Sequence, residues 1–148
     1  MQKWLGDWTY VQETKATSLE AAGKFTGKYT GQEILNGFFL EFQHTLKGAS
    51  GESRWIEIDG YDYAAGQYIY TWYGSVGAMG RGTFVITDNG DKWEGTGVAG
   101  SKRYMERGSS VFAPDGMSYA KKAEISFDGK IWMPYYEVNA TRIKSSPK

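Results

Sequence analysis

Short runs in which aromatic and β-branched residues alternate with polar ones fill most of the chain, and Gly-containing turn signals separate them. Asn89-Gly90 and Asp128-Gly129 are two-residue hairpin signals, since these residue types tolerate positive φ. Pro114-Asp115-Gly116 marks another turn, and Gly48 to Gly51 and Ala64-Ala65-Gly66 mark slightly longer hairpin loops. This punctuation predicts strands over 6–14, 24–33, 37–46, 53–60, 67–74, 79–88, 91–99, 102–112, 117–127 and 130–140. Tight turns force neighbouring strands to pair antiparallel, because a parallel pair needs a long crossover. A flat meander of this length would leave two exposed edges, which closure removes. The predicted fold is therefore all-β, a single antiparallel up-and-down β-barrel of about 8–10 strands. A two-sheet sandwich is the alternative.

One stretch breaks the alternation. Ala16-Thr17-Ser18-Leu19-Glu20-Ala21-Ala22 combines helix formers with a Ser/Thr cap, and predicts a short helix or a loop across one barrel mouth. No linker, composition shift or fixed-period repeat divides the chain, so residues 1–148 read as one barrel domain. Ser145-Ser146-Pro147-Lys148 reads as a frayed tail.

Period-two alternation assigns side chains to faces. The rows taken as inward are Phe38, Leu40, Phe42, His44 and Leu46; Arg54, Ile56 and Ile58; Tyr68, Tyr70 and Trp72; Tyr119, Ala123, Ile125 and Phe127; and Trp132, Tyr136 and Val138. The interior they predict is aromatic, with a few polar groups: His44, Arg54, the hydroxyls of Tyr70 and Tyr136, and Arg103. Phe39, Trp55 and Tyr73 fall on the outer face.

Composition narrows the chemistry. The chain has 148 residues, the size of one domain. It balances 17 Lys+Arg against 17 Asp+Glu, and lacks the basic excess that general nucleic-acid binding requires. With no Cys and a single His, neither a thiolate site nor a site of two imidazoles can form; no metal and no cofactor are expected. No run approaches the roughly 20 apolar residues of a membrane-spanning helix. The first residues lack the apolar core of a signal peptide, which predicts a cytoplasmic location, or a periplasmic one if a leader was removed. Gly74, Gly77, Gly80 and Gly82 are not a phosphate loop, because neither Gly-Lys-Ser/Thr nor a helix follows; they and Gly95, Gly97 and Gly100 read as points of curvature and bulging.

Gly6-Asp7-Trp8 at the first strand and Arg142 after the last resemble the calycin pattern of lipocalins and their relatives. The resemblance implies an indole at the closed barrel end with a guanidinium packed across it, and so structural roles for Gly6, Trp8 and Arg142. Ile34-Leu35-Asn36-Gly37-Phe38-Phe39-Leu40-Glu41, then Gly60-Tyr61-Asp62 with Gly66, Tyr68, Trp72, Ser75 and Gly77, and then Asp128-Gly129-Lys130 with Trp132 and Arg142, resemble a bacterial lipocalin-like family of unknown function. The chain departs from that family at Asn36-Gly37-Phe38, where a Gly-Gly pair is commoner, and at Gly74, where an acidic residue often precedes the Ser. A haem held by an axial His from the C-terminal part of the barrel, as in one calycin relative, is disfavoured because no His follows residue 44.

The leading functional expectation is binding of a small hydrophobic or aromatic ligand in the barrel cavity. Tyr70, Trp72 and Tyr136 would stack on it, and His44 with Arg54 or Arg103 would orient its polar groups. The first alternative is a cofactor-free cyclase or isomerase that uses His44 and a Tyr hydroxyl. The second is a structural or assembly protein with a filled barrel, whose outer residues Phe39, Trp55 and Tyr73 form a homodimer contact.

Overall fold

The computed structural model describes residues 1–144, and the tail expected at 145–148 lies outside the described residues. Ten strands follow one another: β1 (Gly6–Thr14), β2 (Gly23–Ile34), β3 (Phe39–Gly48), β4 (Gly51–Asp62), β5 (Gln67–Gly74), β6 (Met79–Thr87), β7 (Gly90–Ala99), β8 (Lys102–Phe112), β9 (Ser118–Ser126) and β10 (Met133–Arg142). Each pairs antiparallel with its neighbours in sequence, and β1 closes on β10 with Trp8 opposite Arg142 and Thr14 opposite Tyr136. The result is the predicted up-and-down barrel, with no free edge along its wall. Among the described residues no helix is long and apolar enough to cross a membrane.

Connections depart from expectation in two places, and residues 15–22 take the loop alternative rather than the helix. The segment is too short to hold a helix unaided, and it is tied as a loop instead: the Lys15 N–H donates to the Tyr135 carbonyl at 2.7 Å, and Lys102 Nζ donates to the Ser18 carbonyl. The β9–β10 connection is longer than a two-residue hairpin, because Asp128 Oδ1 accepts from the N–H groups of Lys130 (2.7 Å) and Ile131 (2.9 Å) and holds an open loop. β3 starts at Phe39 rather than 37, after a short 3-10 turn over Leu35–Gly37 in which Leu35 (φ 50°) and Asn36 (φ 62°) are left-handed.

One end of the barrel is plugged by rings. Trp8 is fully buried and packs against Tyr119 (centroids 5.2 Å apart), Phe112 (6.0 Å) and Tyr29 (6.0 Å), and Trp4 meets Phe112 edge-on at 5.1 Å. The Arg142 guanidinium lies 4.4 Å from the Trp8 ring and donates to the carbonyls of Leu5 and Lys3, each at 2.6 Å. These bonds pin the segment before β1 across the barrel floor.

The inward faces of β2, β3 and β5 to β9 follow from the register. Seven of the expected orientations need correction here. In β4, Leu46 opposes Ser53, His44 opposes Trp55, Phe42 opposes Glu57 and Leu40 opposes Asp59, so the inward row is Ser53, Trp55, Glu57 and Asp59. Arg54, Ile56 and Ile58 therefore face outward, and Trp55 leaves the proposed outer patch for the interior. Trp132 stands outside the barrel under Arg107 (4.1 Å), because a bulge between Pro134 and Tyr136 reverses side-chain parity at the start of β10. Phe38 and Phe127 lie just beyond strand ends and are exposed.

Candidate functional site

Above the aromatic floor the barrel is hollow. The cavity has a volume of about 300 Å³, and its lining residues run from Met1 and Trp4 at the floor to Glu20, Val76 and Tyr104 at the mouth. The interior is therefore not packed solid, contrary to what the filled-barrel alternative requires. The volume lies at the lower end of small-molecule pockets.

Glycines keep this space open. A Cβ at Gly80 would strike the Trp72 indole, one at Gly82 or Gly95 the Tyr70 hydroxyl, one at Gly97 the Tyr104 ring, and one at Gly108 the Trp93 indole. Each glycine faces inward opposite or beside a large aromatic, so the ring lies flat against bare backbone instead of projecting into the lumen. Curvature alone, the expected role of the glycine-rich stretches, misses this seating.

Tyr70 and Trp72 line the cavity from β5 as expected, and Tyr136 does so from β10. His44 faces the lumen from β3, stacked on Trp55 with centroids 4.5 Å apart and planes 8° from parallel, and with Tyr29 at 4.8 Å on its other side. Its Nδ1 is buried with no hydrogen-bond partner. Burial, together with the charge of Lys121, pulls the imidazole pKa down to about 3, so the ring stays neutral near pH 7. A base that weak takes up little of a proton at that pH.

Arg54 and Arg103 correct the expected picture. Arg54 borders the cavity mouth, but its side chain is 73% exposed and its Nε donates to Glu52 at 2.9 Å on the outside of the wall. Arg103 is opposite Val98 on the outward face of β8 and is exposed. The cation that does enter the lumen is Lys121, from β9, with its Nζ 5.0 Å from the centre of the Trp93 ring.

The polar lining missed at the sequence level is carboxylic. Glu57 and Asp59 from β4, Asp91 from β7 and Glu106 from β8 all face the cavity. Glu106 Oε1 accepts from the Tyr70 hydroxyl and from Trp72 Nε1, each at 3.4 Å, and Asp91 Oδ1 accepts from the Ser110 N–H at 3.0 Å. Asp59 Oδ1 is buried without a partner. Burial raises the pKa of all four carboxyls from their usual values against the lowering charge of Lys121, and Asp59, raised further by the charge of Glu57, goes well above its own. Burial pushes the Lys121 pKa down, but Tyr136, Glu57, Tyr119 and Asp91 around it outweigh burial and raise it above the usual lysine value. The signal was present: Glu57 and Asp59 alternate with Ile56 and Ile58, but a parity choice made by hydrophobicity turns the strand over. No cluster of His, Asp and Glu suited to a metal ion occurs among the described residues.

The loop over residues 15–22 crosses the mouth. Its Glu20 carboxylate accepts from the Tyr135 hydroxyl at 2.8 Å, while Lys102 at the start of β8 reaches the Ser18 carbonyl. Tyr135 is the extra residue of the β10 bulge, which explains why its side chain is free to meet the loop.

Residues 1–136 match the model of a family described as "Protein of unknown function (DUF1579)". A search of curated proteins found no significant match. Among solved structures, the crystal structure of Rv2717c from M. tuberculosis is similar, with a TM-score of 0.66 and 11% identity, covering 96% of this chain and 94% of that one. A de novo designed fluorescence-activating β-barrel is similar with a TM-score of 0.51 and 12% identity, covering 96% of this chain and 95% of the design. At these identities the likeness concerns the fold.

Proposed function

The chain belongs to the DUF1579 family of proteins of unknown function, and we propose that its barrel binds a small molecule with an apolar or aromatic body. The observation that carries this reading is the hollow itself: about 300 Å³ walled by Trp55, Tyr70, Trp72, Trp93 and Tyr136, with glycines seating the rings against the wall. A protein selected only for stability gains by filling such a space, since a void forfeits dispersion contacts and leaves its lining poorly packed. The mouth is partly covered by residues 15–22, which suits a guest that enters and leaves by loop movement. Kinship with the lipocalins and other calycins is part of the proposal, supported by the fully buried Trp8 beneath Arg142 at the floor.

The test uses a blocked cavity. Ser53 faces the lumen opposite Leu46 and is small, so Ser53→Trp places an indole in the space with little demand on the wall. Native mass spectrometry after mild purification should show a bound small molecule on the parent protein and none on Ser53→Trp. Identical spectra of unliganded protein from both, after exposure to cell extract, would end the proposal.

A further inference from the structure

The whole chain carries no net charge, but its interior does not share that balance. Glu57, Asp59, Asp91 and Glu106 line the cavity and Glu20 lies at its mouth, and Lys121 is the one side-chain cation that points in from a strand among the described residues. None of the four strand-borne carboxyls takes part in an ion pair; the salt bridges of the described residues involve exposed or half-exposed groups on the outside of the wall. Their hydrogen bonds are also incomplete. Asp59 Oδ1 has no partner at all, and both contacts to Glu106 are long at 3.4 Å. Isolated buried carboxylates are costly, and a folded chain normally pairs them or leaves them in water.

The carboxyls stand among ring faces. On the strand beside them, Glu57 is opposite Trp72 and Asp59 is opposite Tyr70. Trp55 lies two residues along the same inward row, and Trp93 reaches the lumen from β7. Carboxylate beside aromatic face is the combination that recognises an organic ammonium: the acid supplies charge and hydrogen-bond acceptors, and the rings supply cation–π attraction and apolar contact. Resting on the small-molecule reading above, we infer that the ligand is an organic cation, an amine whose ammonium group sits against Glu57 and Asp59 while its apolar body lies among Trp55, Trp72 and Trp93. An anionic guest would meet Lys121 and the N-terminal ammonium of Met1 against four strand-borne carboxyls. Burial raises the pKa of these acids although the ammonium groups of Lys121 and, at Asp59, the N-terminus act against it, and an arriving ammonium would favour their ionised forms further.

Three probes of matched shape separate the possibilities: 2-(1-naphthyl)ethylamine, 2-(1-naphthyl)ethanol and 1-naphthylacetate, each titrated calorimetrically into the parent protein, Ser53→Trp and the pair Glu57→Gln/Asp59→Asn. The amine should bind the parent at least about tenfold more tightly than the alcohol, as expected for one desolvated charge pair. The acetate should bind most weakly, and the carboxyl variant should lose the preference for the amine while still binding the alcohol. Equal affinities for amine and alcohol, or a preference for the acetate, with all binding abolished in Ser53→Trp, would overturn the cation inference and leave the small-molecule reading standing. Absence of binding by any probe, or binding that survives Ser53→Trp, would overturn both. The ranking on the parent protein decides the charge preference even if the carboxyl variant fails to fold, which near-ultraviolet circular dichroism would reveal.

Discussion

Arg142 joins three parts of the molecule through one side chain. Its guanidinium covers Trp8 at 4.4 Å and ties down the carbonyls of Leu5 and Lys3, linking the last strand, the floor indole and the N-terminal segment. Arg142→Ala should destabilise the barrel by about 2–4 kcal/mol, the sum expected of a cation–π contact and two charge-assisted hydrogen bonds. Arg142→Lys should recover little, since an ammonium cannot cover an indole and reach both carbonyls together. Urea unfolding followed by Trp fluorescence measures both. His44 makes a separate prediction. It is neutral in the fold with its pKa lowered to about 3, and an unfolded His titrates near 6.5. The unfolded chain therefore binds a proton that the folded chain refuses, and the His44 contribution to stability, complete above pH 6.5, drains away as pH falls toward 3. Relative to His44→Phe, the parent protein should lose stability between pH 7 and pH 4 with a slope approaching about 1.4 kcal/mol per pH unit. The acids that also titrate there are common to both proteins and cancel in the difference. Parallel pH profiles of the two melting temperatures would show that the imidazole is hydrated.

Glycines along β6, β7 and β8 work together as an element. Gly80, Gly82, Gly95, Gly97 and Gly108 leave a strip of bare backbone inside the wall, and Trp72, Tyr70, Tyr104 and Trp93 occupy it. In strands a glycine usually weakens pairing; here the cost is offset by ring-to-backbone contact, and the lumen is gained. Gly80→Ala should cost about 1–3 kcal/mol through overpacking, and should tilt the Trp72 indole off the wall into the cavity. The second effect is the more telling, and is read as altered near-ultraviolet circular dichroism together with weaker binding of the naphthyl probes. The β10 bulge is the other element-level device. By inserting one residue before Tyr136 it turns Tyr135 toward the loop over 15–22 and sends Trp132 outside, so a single register shift serves both lid and wall.

For the whole molecule, strand positions, antiparallel order and closure were all legible in the chain. Turn chemistry and period-two alternation are local, and a meander with no free edge has few ways to arrange itself. The floor was legible too, since Trp8 and Arg142 meet as the resemblance implied. The cavity wall was legible only in part: Tyr70, Trp72, Tyr136 and His44 face inward as expected, whereas Arg54 and Arg103 face out and Glu57, Asp59, Asp91, Glu106 and Lys121 face in. Assigning faces by hydrophobicity presumes an apolar interior, and that presumption fails where the interior is a polar-lined hollow. In β4 it inverted the strand, because Ile56 and Ile58 are more apolar than the inward Glu57 and Asp59. Sequence alone determined that this chain curls into a closed barrel, because that outcome follows from short-range turn and pairing preferences, while its floor of rings was what the resemblance implied. Only the tertiary structure decided what the barrel encloses, because the inward side of each strand is set by its hydrogen-bonded register with neighbours, and five charged side chains from four strands converge only once every register is in place.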